Sequence, residues 1–359
     1  MISFFLFSAS INAQILQDTT ALRLIRQDVD YIYNLQFNNA HELNKRIIEL
    51  YPEHPIVFLL KGLLTYWENY PLLYPDPEHL SFVEDLRKCI DLSENNNNPE
   101  YEAEYLLANL CARGTLLMFY ADNDVTMEVI PLTISTYKYL RLSFDFTSKS
   151  IDLYYFTGLY NYYREAYPKA HPLYKSLALL FPSGDTEAGL KELQTTATNS
   201  FVLRAEAYFI LTWIYLYYEN NFPGALFYCK TLHENYPENE QYLSLYIEIL
   251  LHMKLYDEAE KLITDSLREG VNSFSKAQLI IFKGILYEKK YLDYSLAQDC
   301  YNKGIHDISY FGGYGNEYAA FAYYGLSRIS EANGEKKSSK TYRREAMNLG
   351  DFKKINFDD

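Results

Sequence analysis

The chain contains no Cys-x-x-Cys pair, and its four cysteines, Cys89, Cys111, Cys229 and Cys300, stand far apart. That spacing excludes a zinc ribbon or a thioredoxin-type dithiol, both of which need close pairs, and makes small buried core residues the expectation. Histidine is also sparse. The seven residues are scattered, and Lys45 stands where a second histidine would have to follow His41-Glu42 to make a zincin pair. No Gly-x-Ser-x-Gly or Walker sequence occurs. Ser273-Phe-Ser-Lys276 has the Ser-x-x-Lys spacing but lacks a companion Lys-Thr-Gly, so helix capping by Ser273 is the expectation. Gly312-Gly-Tyr-Gly315 precedes a helix but follows no strand, which predicts a flexible inter-repeat loop rather than a phosphate site. A long basic run is absent as well. With Lys+Arg 33 against Asp+Glu 47 the net charge is −14, which disfavours nucleic acid and anionic membrane surfaces and permits a basic partner. Beyond the N-terminus no stretch supplies ~20 uninterrupted apolar residues, so no membrane span is expected.

Apolar and aromatic residues are abundant: 48% of the chain is hydrophobic, with 37 tyrosines and 21 phenylalanines. That is ample material for a packed core. The first residues are apolar and end in small ones before the first charge at Asp18. Ile11-x-Ala13 would suit a signal peptidase, predicting a signal peptide over 1–13, a mature chain from Gln14 and export to the periplasm. No Lys or Arg precedes Arg23, so the basic n-region is missing here: either the true start lies upstream, or the segment is a buried first helix. No cysteine follows to carry a lipid anchor.

The organising stretch is Ala205 to Gly270. Phe222-Pro-Gly-Ala225 and Tyr256-Asp-Glu-Ala259 start equivalent helices 34 residues apart, the signature of a solenoid built from helix pairs. In the helix from Tyr256, Ala259, Leu262, Ile263, Ser266 and Leu267 form one stripe, while charges occupy the rest. The preceding helix, 242–251, is apolar nearly all round and requires neighbours on more than one side. Ala225 and Ala259 are expected where paired helices approach closely, and Gly270 where a helix ends at positive φ. The aromatic-x-x-Ala step returns at Phe37-Asn-Asn-Ala40 and Tyr294-Ser-Leu-Ala297, and Tyr51-Pro52 matches Tyr236-Pro237.

The period, this step and the closing Tyr-Pro resemble the tetratricopeptide repeat, a helical-pair module that binds other proteins. With the Asn-Ala-Gln ending of the leader, the chain resembles exported repeat proteins of Bacteroidota. The resemblance implies an all-α, right-handed solenoid of about eight helix pairs and a non-catalytic scaffold for a protein or peptide ligand, with no cofactor. Gly62 resembles the family's glycine at the tight crossing within a pair.

Along the chain, 14–94 reads as N-terminal repeats interrupted by the proline-rich loop 70–77. Residues 95–200 read as divergent central pairs, in which Asn98 caps a helix start and long helices run from about 100 to 120 and 125 to 144. The span 201–359 reads as C-terminal repeats closed by the basic helix 336–349, the polar end that a solenoid needs. The candidate binding groove lies in the central block. Phe156, Tyr160, Tyr163 and Tyr167 share one stripe, and Asn161 and Glu165 lie one turn apart beside Arg164, with His171 nearby. Asn161 could hold a peptide backbone by donor and acceptor while the tyrosines supply contact area. Packing of the same tyrosines in the core is the competing reading. A glycan-binding repeat protein of nutrient uptake is the alternative function. An enzyme using Glu165 and Asp185 as paired carboxylates is a third, with Asp185 equally suited to cap a helix.

Overall fold

The computed structural model describes residue 15, residues 18–350 and residue 357. The expected signal peptide, 1–13, lies outside the described residues. The described chain is all-α, with no strand among the described residues, and none of its helices is long and apolar enough to cross a membrane.

The helices are α1 (Thr19–Tyr33), α2 (Phe37–Leu50), α3 (Pro55–Glu68), α4 (Glu78–Glu94), α5 (Glu102–Asp122), α6 (Thr126–Phe146), α7 (Tyr154–Ala170), the single turn α8 (Lys175–Ala178), α9 (Thr186–Asn199) and α10 (Arg204–Trp213). They continue as α11 (Phe222–Asn235), α12 (Glu240–His252), α13 (Tyr256–Glu269), α14 (Ser273–Leu286), α15 (Tyr294–Ile308), α16 (Asn316–Ala332) and α17 (Lys336–Leu349). Consecutive helices pack in pairs: α1 on α2, α3 on α4, α5 on α6, α7 on α9, α10 on α11, α12 on α13, α14 on α15, and α16 on α17. The first helices of neighbouring pairs also touch, as stacked repeats require: α3 meets both α1 and α5, and α14 meets both α12 and α16.

A backbone motif carries the periodicity more regularly than the side chains do. Leu35, Asp124, Asn220, Lys254, Leu292 and Gly334 all have positive φ, and each stands two residues before the second helix of its pair. The residue between them donates its N–H back into the first helix, as in a Schellman turn. In four turns this bond spans five residues: Gln36 to Tyr31, Val125 to Tyr120, Leu255 to Leu250 and Glu335 to Ser330, at 2.8–2.9 Å. In the other two it spans six, Asn221 to Tyr215 and Asp293 to Tyr287. These are the two pairs whose first helix ends in a π-turn, Ile214–Tyr218 and Tyr287–Tyr291, which accommodates the one extra residue. The pairs without the motif carry inserted connections, 69–77 and 171–185.

Local chemistry explains the starts. Asp18, Asn221, Asn239, Asn272 and Asp293 each accept backbone N–H bonds at the head of a helix. Asn272, not Ser273, caps α14: its side chain accepts from Ser275 N, because the helix begins one residue earlier than the serine spacing suggested. Gly312–Gly315 is likewise not a loose loop. Residues 309–315 form two short 3₁₀ turns kinked at Gly312, whose φ is +53°; they bury Phe311 and send Tyr314 Oη to the carbonyl of Leu72 at 3.2 Å. Gly62 does sit at the α3–α4 crossing, where a Cβ would come within 2.5 Å of Leu86. Ala225 and Ala259 are fully buried.

The two halves of the chain close on one another. One hydrophobic cluster joins residues of α1 to α5 with Ala205, Leu232, Tyr236 and Tyr242. Across this seam Tyr33 lies 6.1 Å from Tyr236, Trp67 5.9 Å from Tyr242, and Tyr70 6.1 Å from Phe274 and 5.5 Å from Tyr314, measured between ring centroids. Edge-to-face aromatics thus occupy the space between the facing helices.

Candidate functional site

The α7–α9 pair, one of the two in which an inserted connection replaces the regular turn, holds the residues singled out from the sequence. α7 crosses α9 closely enough that a Cβ on Gly189 would stand 2.7 Å from Tyr162 N. Asp185 caps α9, accepting from Glu187 N and Ala188 N at 3.0 Å each. The segment between the two helices, 171–185, is then folded back along α7.

Three of the expected ligand-binding residues hold that segment. Tyr160 Oη donates to the carbonyl of Pro182 at 2.7 Å, and Arg164 Nη2 donates to the carbonyl of Phe181 at 3.0 Å. Glu165 Oε1 accepts from Gly184 N at 3.0 Å and pairs with Arg164 at 3.3 Å. The peptide backbone grasped by α7 is therefore the chain's own. Asn161 Nδ2 donates to Glu192 Oε2 at 3.0 Å, inside the α7–α9 pair. Partial burial raises the Glu192 carboxyl, and the bond from Asn161 works against that rise.

The tyrosine stripe divides. Phe156 is buried near α5 and α10, and Tyr163 packs edge-on to Tyr162 and Tyr218, its phenol pushed up by burial. Tyr160 reaches the other way, against Phe144 of α6. Tyr167 stacks on His171 at 4.1 Å near the surface. Glu165 and Asp185 both bond to the backbone of 184–188, Glu165 accepting from Gly184 N and Asp185 from Glu187 N and Ala188 N. Among the described residues no group of His, Cys, Asp and Glu is arranged to hold a metal ion. Cys89 and Cys229 are buried, and burial raises both thiols; Cys111 and Cys300 are partly exposed by side-chain area.

The helix α6 matches the one expected from about 125 to 144, but its exposed face lies outside the candidate binding residues. Of its 21 residues only Ser143 is buried, although the helix is largely apolar. Met127 (87% exposed), Ile130 (57%) and Ile134 (71%) follow the i, i+3, i+7 spacing of a single face. The folded-back segment adds Leu173 (92%), Leu179 (82%) and Leu180 (76%). Tyr137 of α6 joins the two elements, its ring 4.9 Å from that of Phe181. Isolated exposed apolar residues are ordinary; apolar residues exposed on two adjoining elements make this the candidate contact surface among the described residues. Its sequence signal was present: α6 combines apolar periodicity with the β-branched and proline residues of Val129-Ile-Pro-Leu-Thr-Ile134, in a helix that matches the repeat pattern poorly.

No protein-family model matches this chain, and no curated protein matches it either.

Proposed function

We propose that the chain is a non-catalytic scaffold that binds a protein or peptide, built as a right-handed solenoid of about eight tetratricopeptide-like helix pairs. The observation that carries the reading is the apolar face of α6 and its neighbour 172–181, moored to α7 by Tyr160, Arg164 and Glu165. An apolar partner surface would bury Met127, Ile130, Ile134, Leu179 and Leu180, at roughly 25 cal/mol per Å² of area removed from water. The net charge of −14 favours a partner with a basic rim. The regular turns and paired helices support the repeat family, and the apolar leader supports export to the cell envelope.

The test is affinity capture by the full mature chain from extracts of its own cell envelope, followed by reconstitution with the purified partner. Ile130→Glu with Ile134→Glu should abolish the interaction and leave the thermal midpoint of the free chain nearly unchanged, because both side chains already face water. A partner that binds the double variant as tightly as the parent would refute the assignment of this face. Light scattering on the free chain separates self-association from capture of a different protein.

A further inference from the structure

Phe357 lies beyond the last helix, α17, which ends at Leu349, yet the residue is only 8% exposed and joins the hydrophobic cluster of α12, α14 and α16. Its ring lies flat on the imidazole of His252, with centroids 3.8 Å apart and planes 3° from parallel, and meets Phe321 edge-on at 5.1 Å. Phe222 stacks on the same imidazole at 5.5 Å. Burial pushes the His252 side chain down to about 3, so the ring is neutral and stacks as an apolar surface. Phe357 has a φ of +57°, a left-handed conformation that a bulky residue rarely adopts. Such strain persists only where the surroundings fix the residue, and here the aromatic pocket does so.

The walls of this pocket come from helices that are not neighbours. α12 and α16 each pack on α14, and His252 and Phe321 still approach to 6.2 Å across it. Two flanking helices that meet in front of the middle one make a hollow in the array, in contrast to the tight crossings within pairs. One turn before the two rings stand Glu248 on α12 and Glu317 on α16, both bonded to Tyr217 Oη. These carboxylates repel an acidic ligand group, so the ring must arrive on a chain whose anions lie elsewhere. Lys353 and Lys354 precede Phe357 in the sequence, the sign of charge that suits such a site. We propose that this pocket receives an aromatic side chain carried by a basic peptide segment, and that Phe357 fills it in cis, so that the chain's own C-terminal segment and a partner's segment compete for one place. This site is separate from the exposed face of α6, and failure of capture at that face leaves it untouched.

A fluorescein-labelled peptide with the sequence of residues 351–359 is titrated, by fluorescence anisotropy, into the full chain and into the full chain carrying Phe357→Ser. The variant should bind the peptide saturably and about ten-fold or more tightly than the parent, whose own Phe357 holds the pocket. A peptide with serine at the position of Phe357 should not bind. His252→Ala added to Phe357→Ser should weaken the unaltered peptide by about three-fold to ten-fold, the value of one stacked ring pair. Thermal unfolding separates a replaceable occupant from a fixed part of the core: the midpoint of Phe357→Ser should fall by a few degrees and recover when the peptide is added. A Phe357→Ser chain that does not fold, or that folds and takes up no peptide, would overturn the proposal. Equal binding by parent and variant, or binding of the serine peptide, would do the same.

Discussion

Asn239 donates from its side-chain amide to the backbone carbonyl of Tyr33, 2.7 Å away and 206 residues distant in the chain. The same side chain caps α12 by accepting from Gln241 N and Tyr242 N. One residue thus starts a helix and fastens it to the far end of the array. Around it Tyr33 Oη reaches Glu206, and Tyr236 Oη reaches Asp30 at 2.8 Å, so the aromatic seam is edged by hydrogen bonds.

Asn239→Ser keeps an oxygen for the cap but cannot reach Tyr33. We expect it to cost about 1–2 kcal/mol in urea unfolding, from the buried carbonyl left without its donor. Asn239→Ala loses the cap too and should cost about 1 kcal/mol more. Two variants within experimental scatter of the parent would show that closure of the seam adds no stability.

Asp28 is fully buried, and among the described residues its one side-chain hydrogen bond is from Asn44 Nδ2 at 3.2 Å to Oδ2. Desolvation, opposed by that one bond, raises its carboxyl from the ordinary aspartate value of 3.8 to about 7. The folded state therefore holds a proton that the unfolded state releases, so stability falls as pH rises from about 4 to about 7 and is level above that. Asp28→Asn should flatten this slope and stabilise the protein at pH 8 by up to about 4 kcal/mol, an upper bound from the size of the shift. Unfolding midpoints at pH 4 and pH 8 that move in parallel in parent and variant would refute the assignment.

Glu288 is buried under a two-pronged contact from Arg328, Nε to Oε1 at 2.6 Å and Nη2 to Oε2 at 2.9 Å, with Tyr301 Oη donating at 2.6 Å. It ties α16 to the π-turn after α14. Arg328→Met removes the main counter-charge and should cost roughly 3 kcal/mol, the low end for a broken buried pair because Lys289 stands 3.8 Å away. Adding Glu288→Gln should restore part of the loss, as read by thermal unfolding of the double variant.

At the α7–α9 crossing, Gly189→Ala places a methyl against Tyr162 N and the Gly158 carbonyl, at 2.7 and 2.8 Å. Backbone cannot yield as a side-chain tip does, so a loss of about 1–3 kcal/mol is expected. Hydrogen exchange should localise it to 154–199. A neutral substitution would mean that the two helices can separate freely, and with them the mooring of 181–184.

Much of the architecture was legible in the chain. The 34-residue offset between Ala225 and Ala259, the all-apolar helix before Tyr256 and the caps at Asn98 and Asp185 follow from local rules. Periodicity and capping concern residues within a few turns of one another, and the sequence states those directly. The central site was read only in part. The sequence brought Tyr160, Arg164 and Glu165 together on one helix, but not what they hold. Their partner is the backbone of 181–184, which carries no side-chain code for the contact.

By itself, then, the sequence determined the helices, their pairing and the small residues at their crossings, because these depend on spacing along the chain. Tertiary structure alone decided that Tyr33, Trp67 and Tyr70 would meet Tyr236, Tyr242 and Phe274. It also decided that one face of α6 would stay bare. Each of these depends on where distant surfaces come to rest, and small rotations between successive pairs accumulate along the array into a closure that no local pattern encodes.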